Sequence, residues 1–269
     1  MAREVHRYTH GHHESVLRSH RRRTAENSAG YLLAHLRPGL SLLDIGCGPA
    51  TITADLAARV APGRVCAVDI SAEAVDLART EVHARNLSNV SFATADVHAL
   101  EFPDDAFDVV HAHQVLQYVA DPVLALHEMR RVCTPGGIVA VRDADYAGFI
   151  WYPQLPALDR WRDLYQRAAR VNGGEPDAGR RLLSWAREAG FDDITSTASV
   201  WCFATPEERE WWGGMWADRI LQSALASQLV DSGMATAAEL TEISLAWRAW
   251  AAAANGWLAI PHGEILCRA

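Results

Sequence analysis

Cysteine and long apolar runs are both scarce in this chain. Its 269 residues include five cysteines, no two of which stand at a C-x-x-C spacing, and the odd number argues against a disulfide framework. No segment approaches the roughly 18 to 20 apolar residues of a membrane-spanning helix, and the amino terminus carries no secretory pattern. We therefore expect a cytoplasmic protein with reduced thiols and no membrane partner.

Basic residues are in the minority. Lys and Arg total 25 against 33 Asp and Glu, which gives a formal net charge of -8, whereas a nucleic-acid binder more often has a basic surplus. Hydrophobic residues make up 49% and charged residues 22%, a balance that excludes a mostly disordered or fibrous chain. The length suits one α/β domain with an attached substructure. We expect no nucleic-acid partner.

Short apolar runs alternate with helix-like stretches between residues 40 and 145. The runs are β-branched and apolar on both faces, which is typical of buried parallel strands. Strict alternation predicts right-handed crossovers and a doubly wound, Rossmann-like α/β fold. The predicted strands of this region are 41–46, 64–70, 90–96, 107–113 and 137–145.

Tryptophan is absent from the first 150 residues, and all ten tryptophans lie between Trp151 and Trp257. Patterning after Gly148 predicts helices at 155–171, 177–189, 206–229 and 236–254, and strands at 195–204 and 259–269. We therefore predict a mostly parallel, seven-stranded sheet with a helical cap inserted before the last strand. The predicted organisation is an N-terminal helical arm (1–39), a core (40–204 and 255–269) and a cap within the same domain (205–254).

A glycine-containing turn is the strongest local signal. Gly46 and Gly48 follow a predicted strand and open a predicted helix, so the backbone there can approach a ligand closely. Asp69 ends the next strand 21 residues after Gly48, which matches the offset of an acidic residue that binds ribose hydroxyls. Asp96 ends the third strand. Gly-x-Gly alone is also compatible with a tight turn and nothing more, but the acidic residues at successive strand ends favour a nucleoside site.

Two other nucleotide signatures fit less well. Thr51 occupies the position where a dinucleotide fingerprint has its last glycine, and the chain has no G-x-x-x-x-G-K-[ST] motif. The motifs that are present are Asp44-Ile-Gly-Cys-Gly-Pro-Ala, Val68-Asp-Ile-Ser, Ala95-Asp-Val and Phe107-Asp-Val-Val followed by Leu116-Gln-Tyr-Val-Ala-Asp-Pro. They resemble those of class I S-adenosylmethionine-dependent methyltransferases, in particular the branch of the ubiquinone/menaquinone methyltransferases. The similarity covers residues 40 to 145, and it departs from the family at Ala50, where glycine is usual.

This resemblance implies S-adenosylmethionine as cofactor and S-adenosylhomocysteine as product. Residues 44–48 would line the methionine portion, Asp69 would bind ribose, Asp96 with Val97 would hold adenine, and residues 112–114 would flank the sulfonium. The N-terminal segment resembles a narrower group of dithiol S-methyltransferases, which includes the gliotoxin thiomethyltransferase, and in that resemblance Tyr8 and Arg23 reach the carboxylate of the cofactor. The implied cofactor residues are Tyr8, Arg23, Asp44, Gly46, Cys47, Gly48, Asp69, Ile70, Asp96, Val97, Ala112, His113 and Gln114.

The methyl acceptor is less constrained. The narrower resemblance implies a small-molecule thiol or dithiol from secondary metabolism as the favoured acceptor. A few percent of a thiol with a pKa of about 8.5 is already thiolate near neutral pH, so such an acceptor needs no dedicated base. Two other acceptors remain open, a quinone-like carbon and a phenolic hydroxyl. A different class also remains open, a protein that binds the cofactor without catalysis. The oligomeric state is open between monomer and homodimer.

Candidate substrate residues each have a structural alternative. His113 at the end of the fourth strand could act as a base, or its ring could pack locally. His12 could deprotonate the acceptor, or belong to a solvated terminus. Trp211, Trp212 and Trp216 could wall an aromatic pocket, although their helical spacing also suits core packing. No metal is expected, because the N-terminal histidines lack a companion carboxylate or cysteine at ligand spacing.

Overall fold

The computed structural model describes residues 22–269. The strands are β1 (Leu42–Ile45), β2 (Val65–Asp69), β3 (Val90–Thr94), β4 (Phe107–His113), β5 (Cys133–Ala144), β6 (Ile150–Tyr152), β7 (Ile194–Phe203) and β8 (Trp257–Arg268). The α-helices are α1 (Ala25–Ser28), α2 (Gly30–Leu33), α3 (Thr51–Val60), α4 (Ala72–Ala84), α5 (Pro122–Val132), α6 (Pro156–Val171), α7 (Leu182–Glu188), α8 (Pro206–Gln222), α9 (Ala224–Asp231) and α10 (Ala237–Ala252). Short 3-10 turns occupy Leu116–Tyr118, Tyr146–Gly148 and Ala178–Arg181.

The chain forms two compact units. The core unit contains the described residues up to Ala144 together with 178–199 and 262–269, and the second unit contains 145–177 and 200–261. The predicted cap of 205–254 is therefore only part of the second unit, which also takes in residues that the sequence placed in the core. Strands β7 and β8 each begin in one unit and end in the other.

The sheet of the core unit has the strand order β3-β2-β1-β4-β5-β8, and β7 also pairs with β8. Neighbouring strands from β3 to β5 are parallel, whereas β5 and β8 are antiparallel. The parallel strands place their carboxyl ends at one edge, and the order reverses direction between β1 and β4, which is where α/β sheets bind ligands. The mostly parallel, Rossmann-like prediction is confirmed, but within residues 22–269 the sheet has eight strands and not the predicted seven, because the short strand β6 also pairs with β8.

Apolar side chains cover both faces of this sheet. Leu43, Val110 and Val139 belong to one hydrophobic cluster, which includes residues of α5 and α7. The neighbouring residues Leu42 and Val109 point into a second cluster with residues of α2 and α3. Alternation along each strand explains this division, since successive side chains point to opposite faces.

Aromatic side chains hold the second unit together. Trp161 is buried and packs edge to face against Trp216 and Trp247, with ring centroids 4.6 and 4.8 Å away. Tyr146 stacks on Tyr165 at 4.0 Å. The short strand β6, which the sequence pattern did not predict, pairs with the first residues of β8. This cluster gives the physical reason why 145–177 group with the later helices.

One predicted helix is divided in two. The single helix predicted at 206–229 is interrupted at Ser223, whose hydroxyl donates to the carbonyl of Arg219 at 2.8 Å.

Within residues 22–269, no helix combines the length and apolar composition needed to cross a lipid bilayer.

Candidate active site

The turn between β1 and α3 is closely packed at its first glycine. Gly46 has φ +67°, and a Cβ placed on it would lie 2.4 Å from Val115 Cγ2. The N–H groups of Cys47, Gly48 and Ala50 all donate within the protein, to Val68 O, Asp69 Oδ2 and Cys47 O respectively. Glycine at position 46 therefore lets the turn pack against Val115, and these three N–H groups are not presented to a ligand as the motif suggested.

Two residues of the turn depart from simple expectations. Ala50 adopts the left-handed conformation with φ +61°, which favours glycine and costs an alanine roughly 1 to 2 kcal/mol. Burial, with the nearby carboxylates of Asp44 and Asp69, raises the pKa of the Cys47 thiol far above its usual range. The Cys47 side chain is thus a neutral lining group at physiological pH.

Asp69 ends β2 with its carboxylate fixed at both oxygens. Oδ2 accepts the Gly48 N–H and Oδ1 accepts the Ser71 N–H, each at 3.0 Å. Each carboxylate oxygen retains a second lone pair, so an oriented diol can still bind. The next residue, Ile70, is 72% exposed, so its apolar side chain is accessible beside the Asp69 carboxylate.

Asp44 differs from Asp69 in its surroundings. It lies within β1, opposite Ala67 of β2, so it falls two residues short of Asp69 along the strands. Its carboxylate is buried, with Oδ1 2.7 Å from His111 Nδ1 and Oδ2 accepting the Thr53 hydroxyl. The Asp44 side chain thus ties β1 to β4 and α3, while the backbone around it lines the turn.

Asp96 follows β3 and is partly exposed. Its Oδ1 accepts the backbone N–H of His98 at 3.0 Å and lies 2.7 Å from His98 Nδ1. The following residue, Val97, is buried in the hydrophobic cluster that includes α5. Asp96 and Asp69 therefore remain at the strand ends where the sequence placed them, while Val97 contributes packing.

His113 ends β4 in a buried row of polar side chains. The row crosses three strands, because His113 pairs with Arg142 of β5 and Arg142 pairs with Glu264 of β8. Arg142 Nε donates to Glu264 Oε1 at 3.2 Å and to Ser199 Oγ at 3.1 Å. Burial, together with the positive charges of Arg23 and Arg142, holds the pKa of His113 well below its usual range. His113 is neutral at pH 7 and a weak base.

Gln114 follows directly and joins distant parts of the core unit. Its backbone is left-handed, with φ +54°, and its N–H donates to Arg142 O at 2.7 Å. Arg23 donates to Gln114 Oε1 at 2.7 Å, and Gln114 Nε2 lies 3.0 Å from His262 Nε2. Arg23 is thereby brought to the end of β4, next to the segment that the motif comparison associates with the sulfonium.

Asp143 and the 3-10 turn after β4 form a second buried polar group. The Asp143 carboxylate accepts the Gln117 N–H at 3.2 Å, and burial raises its pKa to about 7. Four buried side chains of this region carry polar atoms that find no hydrogen-bonding partner within residues 22–269. These atoms are His111 Nε2, both amide atoms of Gln117, Asp143 Oδ2 and the Tyr31 hydroxyl. Buried polar atoms of this kind are normally satisfied by water or a ligand.

Sequence reasoning did not single out His111, His262, Arg142 or Glu264. A signal for His111 was present, since the alternation His111-Ala112-His113 places its imidazole on the same face of β4 as that of His113. The contacts of His262 and Glu264 depend on β8 pairing with β5, which no local pattern reveals.

The remaining predicted site residues fall elsewhere. Tyr8 and His12 lie outside the described residues. Trp211, Trp212 and Trp216 belong to the second unit, where Trp212 stacks on Phe203 and the buried Trp216 packs against Trp161. Within residues 22–269, no cluster of His, Cys, Asp and Glu is suited to hold a metal ion.

Comparison with known proteins identifies the class. A family model described as a methyltransferase domain matches residues 36–190. An uncharacterised methyltransferase of Schizosaccharomyces pombe is 34% identical over 96% of this chain and 95% of its own length. A ubiquinone/menaquinone biosynthesis C-methyltransferase of Shewanella frigidimarina is 30% identical over 61% of this chain and 71% of its own length.

A solved structure supports the fold. The phosphoethanolamine N-methyltransferase 2 of Haemonchus contortus, in complex with S-adenosyl-L-methionine, matches with a TM-score of 0.56 at 19% identity and covers 87% of this chain and 49% of that one. The chain belongs to the methyltransferase-domain family. It is a class I methyltransferase that depends on S-adenosylmethionine, as its motifs predicted.

The site described above fits this cofactor. The fixed carboxylate of Asp69, beside the glycine-containing turn, presents lone pairs suited to a ribose diol. Exposed Ile70 offers an apolar surface beside it, of the kind that an adenine ring covers.

Proposed function

We propose that this enzyme S-methylates a small-molecule thiol or dithiol of secondary metabolism. S-adenosylmethionine, when bound, supplies a methyl group on a sulfonium that departs as a neutral thioether. Residues of the core unit would bind and orient this cofactor. Asp69 would bind the ribose hydroxyls, Asp96 would accept from adenine and Ile70 would cover its ring. Gly46 to Gly48 would line the methionine portion, with Arg23 at its carboxylate.

A thiol is favoured because of the weak base at the end of β4. His113 is buried, neutral and poorly basic, so it would be a poor acceptor for the proton of a phenol with a pKa of about 10. A thiol has a pKa of about 8.5 and needs less help to form its nucleophilic anion. Positioning the thiolate in line with the methyl group would then supply most of the rate enhancement.

Carbon methylation of a quinone-like ring is the second candidate. Its support is the similarity to the Shewanella frigidimarina enzyme, whose name specifies a C-methyltransferase, over 61% of this chain.

Three other expectations stay predictions. They are the cytoplasmic location, the absence of a nucleic-acid partner and the oligomeric state as monomer or homodimer.

A two-stage experiment tests the proposal. Calorimetric titration with S-adenosylhomocysteine is expected to give one site per chain. The enzyme is then supplied with S-adenosylmethionine and, separately, a reduced dithiol, a monothiol, a phenol and a quinol, and methylated products are measured by mass spectrometry. Faster transfer to the thiols than to the phenol and quinol supports the proposal. Transfer to the quinol alone would establish the second candidate, and binding without any transfer would indicate a non-catalytic protein.

A further inference from the structure

Three side chains from distant parts of the core unit form one hydrogen-bonded chain. Arg23 Nη2 contacts Gln114 Oε1 at 2.7 Å, and Gln114 Nε2 contacts His262 Nε2 at 3.0 Å. A guanidinium has donors only, so the amide atom that faces Arg23 must be the oxygen. The other amide atom is then the NH₂ group, a donor, and His262 Nε2 must accept from it. The contacts therefore fix both the amide orientation and a neutral His262 with its proton on Nδ1.

We propose that His262 is a positioning residue for cofactor binding, which acts on Arg23 through the amide of Gln114. The inference rests on the proposed role of Arg23 at the carboxylate of S-adenosylmethionine. His262 has no need to touch the cofactor in this arrangement. Its acceptor nitrogen selects the Gln114 orientation that presents an oxygen to the guanidinium.

The opposite orientation of the Gln114 amide shows why a residue that fixes this orientation is needed. If the Gln114 amide turned over, its NH₂ group would face Arg23, and two donors would oppose each other in a partly buried place. An amide has nearly the same shape in both orientations, so packing alone does not choose between them. The amide orientation is determined by the residue that contacts the other amide atom of Gln114, which is His262. His262 is fully buried, and its ring lies 6.4 Å from that of His113.

Backbone geometry supports a specific role for Gln114. Its φ of +54° is uncommon for a residue other than glycine, and its N–H is held by Arg142 O at 2.7 Å. The backbone thus places the Gln114 side chain directly after β4. From there it contacts both Arg23, which precedes α1, and His262 in β8.

A double-mutant cycle on S-adenosylhomocysteine affinity, measured by calorimetry, tests the inference. Arg23→Gln should weaken binding about 10-fold or more, as expected for a lost charge-assisted hydrogen bond. His262→Leu removes the acceptor and should weaken binding at least about 5-fold, but no more than Arg23→Gln. His262→Gln keeps an acceptor near the same place and should stay within about 2-fold of the wild type. In the Arg23→Gln background, His262→Leu should change affinity less than about 2-fold, because the residue through which it acts is gone.

Controls separate positioning from general damage. Ile265→Val alters another buried residue of β8 and should leave affinity unchanged. If His262→Leu fails to fold, Gln114→Asn replaces it, since asparagine tolerates a left-handed backbone but is too short to bridge both partners. Its effect should match that of Arg23→Gln and should not add to it.

The outcomes are distinct. Additive losses in the cycle, or wild-type affinity in His262→Leu, would overturn the positioning role while leaving the proposed function intact. Failure of the wild-type protein to bind S-adenosylhomocysteine at all would instead remove the proposed function itself.

Discussion

Replacement of Asp69 by alanine is the most direct perturbation of the cofactor site. The carboxylate accepts two backbone N–H groups, from Gly48 and Ser71, each at 3.0 Å. These two bonds fix the orientation of the carboxylate at the end of β2. Alanine removes the bonds to the backbone and the proposed bonds to ribose together. Hydrogen bonds to a charged group contribute about 1.5 to 3 kcal/mol, so affinity for S-adenosylhomocysteine should fall by about 10- to 150-fold.

Asp69→Asn gives an intermediate perturbation. Its single side-chain oxygen can accept from only one of the two backbone donors, and its NH₂ group would oppose the other. We therefore expect a loss of affinity in this variant as well, smaller than in Asp69→Ala. The matched control is Asp104→Ala, which removes a carboxylate that is 74% exposed and pairs with Arg131 at the surface.

Calorimetric titration of the four proteins with S-adenosylhomocysteine makes the comparison, and a urea transition for each variant establishes that it is folded under the titration conditions. Affinity within about 2-fold of the wild type in a folded Asp69→Ala would refute the reasoning. An equal loss in Asp104→Ala would show that the effect is a general one of charge.

Three further predictions concern stability, each measured by urea denaturation. Ala50→Gly should change the free energy of unfolding by less than about 1 kcal/mol, since relief of the left-handed strain is offset by the entropy cost of glycine and by the loss of a buried methyl group; a larger change in either direction would contradict this. Burial raises the pKa of Asp143 to about 7, so the folded chain binds a proton more tightly than the unfolded chain, and this residue's contribution to stability falls as pH rises from about 4 to about 7. Asp143→Asn should remove up to about 1.4 kcal/mol per pH unit of that slope, and identical slopes for variant and wild type would count against it. Trp161→Ala should cost about 3 to 5 kcal/mol because Trp161 packs against Trp216 and Trp247, and a cost below about 1 kcal/mol would show that the cluster relaxes around the cavity.

The core strands were predictable because each is a short apolar run bounded by turn residues. Strand β4, for example, was expected at 107–113 and occupies Phe107–His113. Strand β6 was not predicted, since a strand of three residues carries too little periodicity. The boundary of the second unit was also missed. It depends on aromatic contacts such as Trp161 with Trp247, which join segments far apart in sequence.

The candidate site shows the same division. Asp69 and Asp96 could be recognised because offsets along the chain place them at strand ends. The motif resemblance placed Asp44 at the methionine portion of the cofactor, but strand register leaves it two residues short of Asp69, and its carboxylate contacts His111. The partner of Gln114 could not be foreseen, because His262 is 148 residues away and meets it only once β8 inserts beside β5.

The uneven placement of tryptophan gives the two units different optical signatures. Of the ten tryptophans, only Trp185 lies in the core unit, and the other nine lie in 145–177 and 200–261. Intrinsic fluorescence therefore reports almost entirely on the second unit, whereas far-ultraviolet circular dichroism reports on both. Denaturation followed by the two signals side by side would reveal whether the units melt together or one after the other.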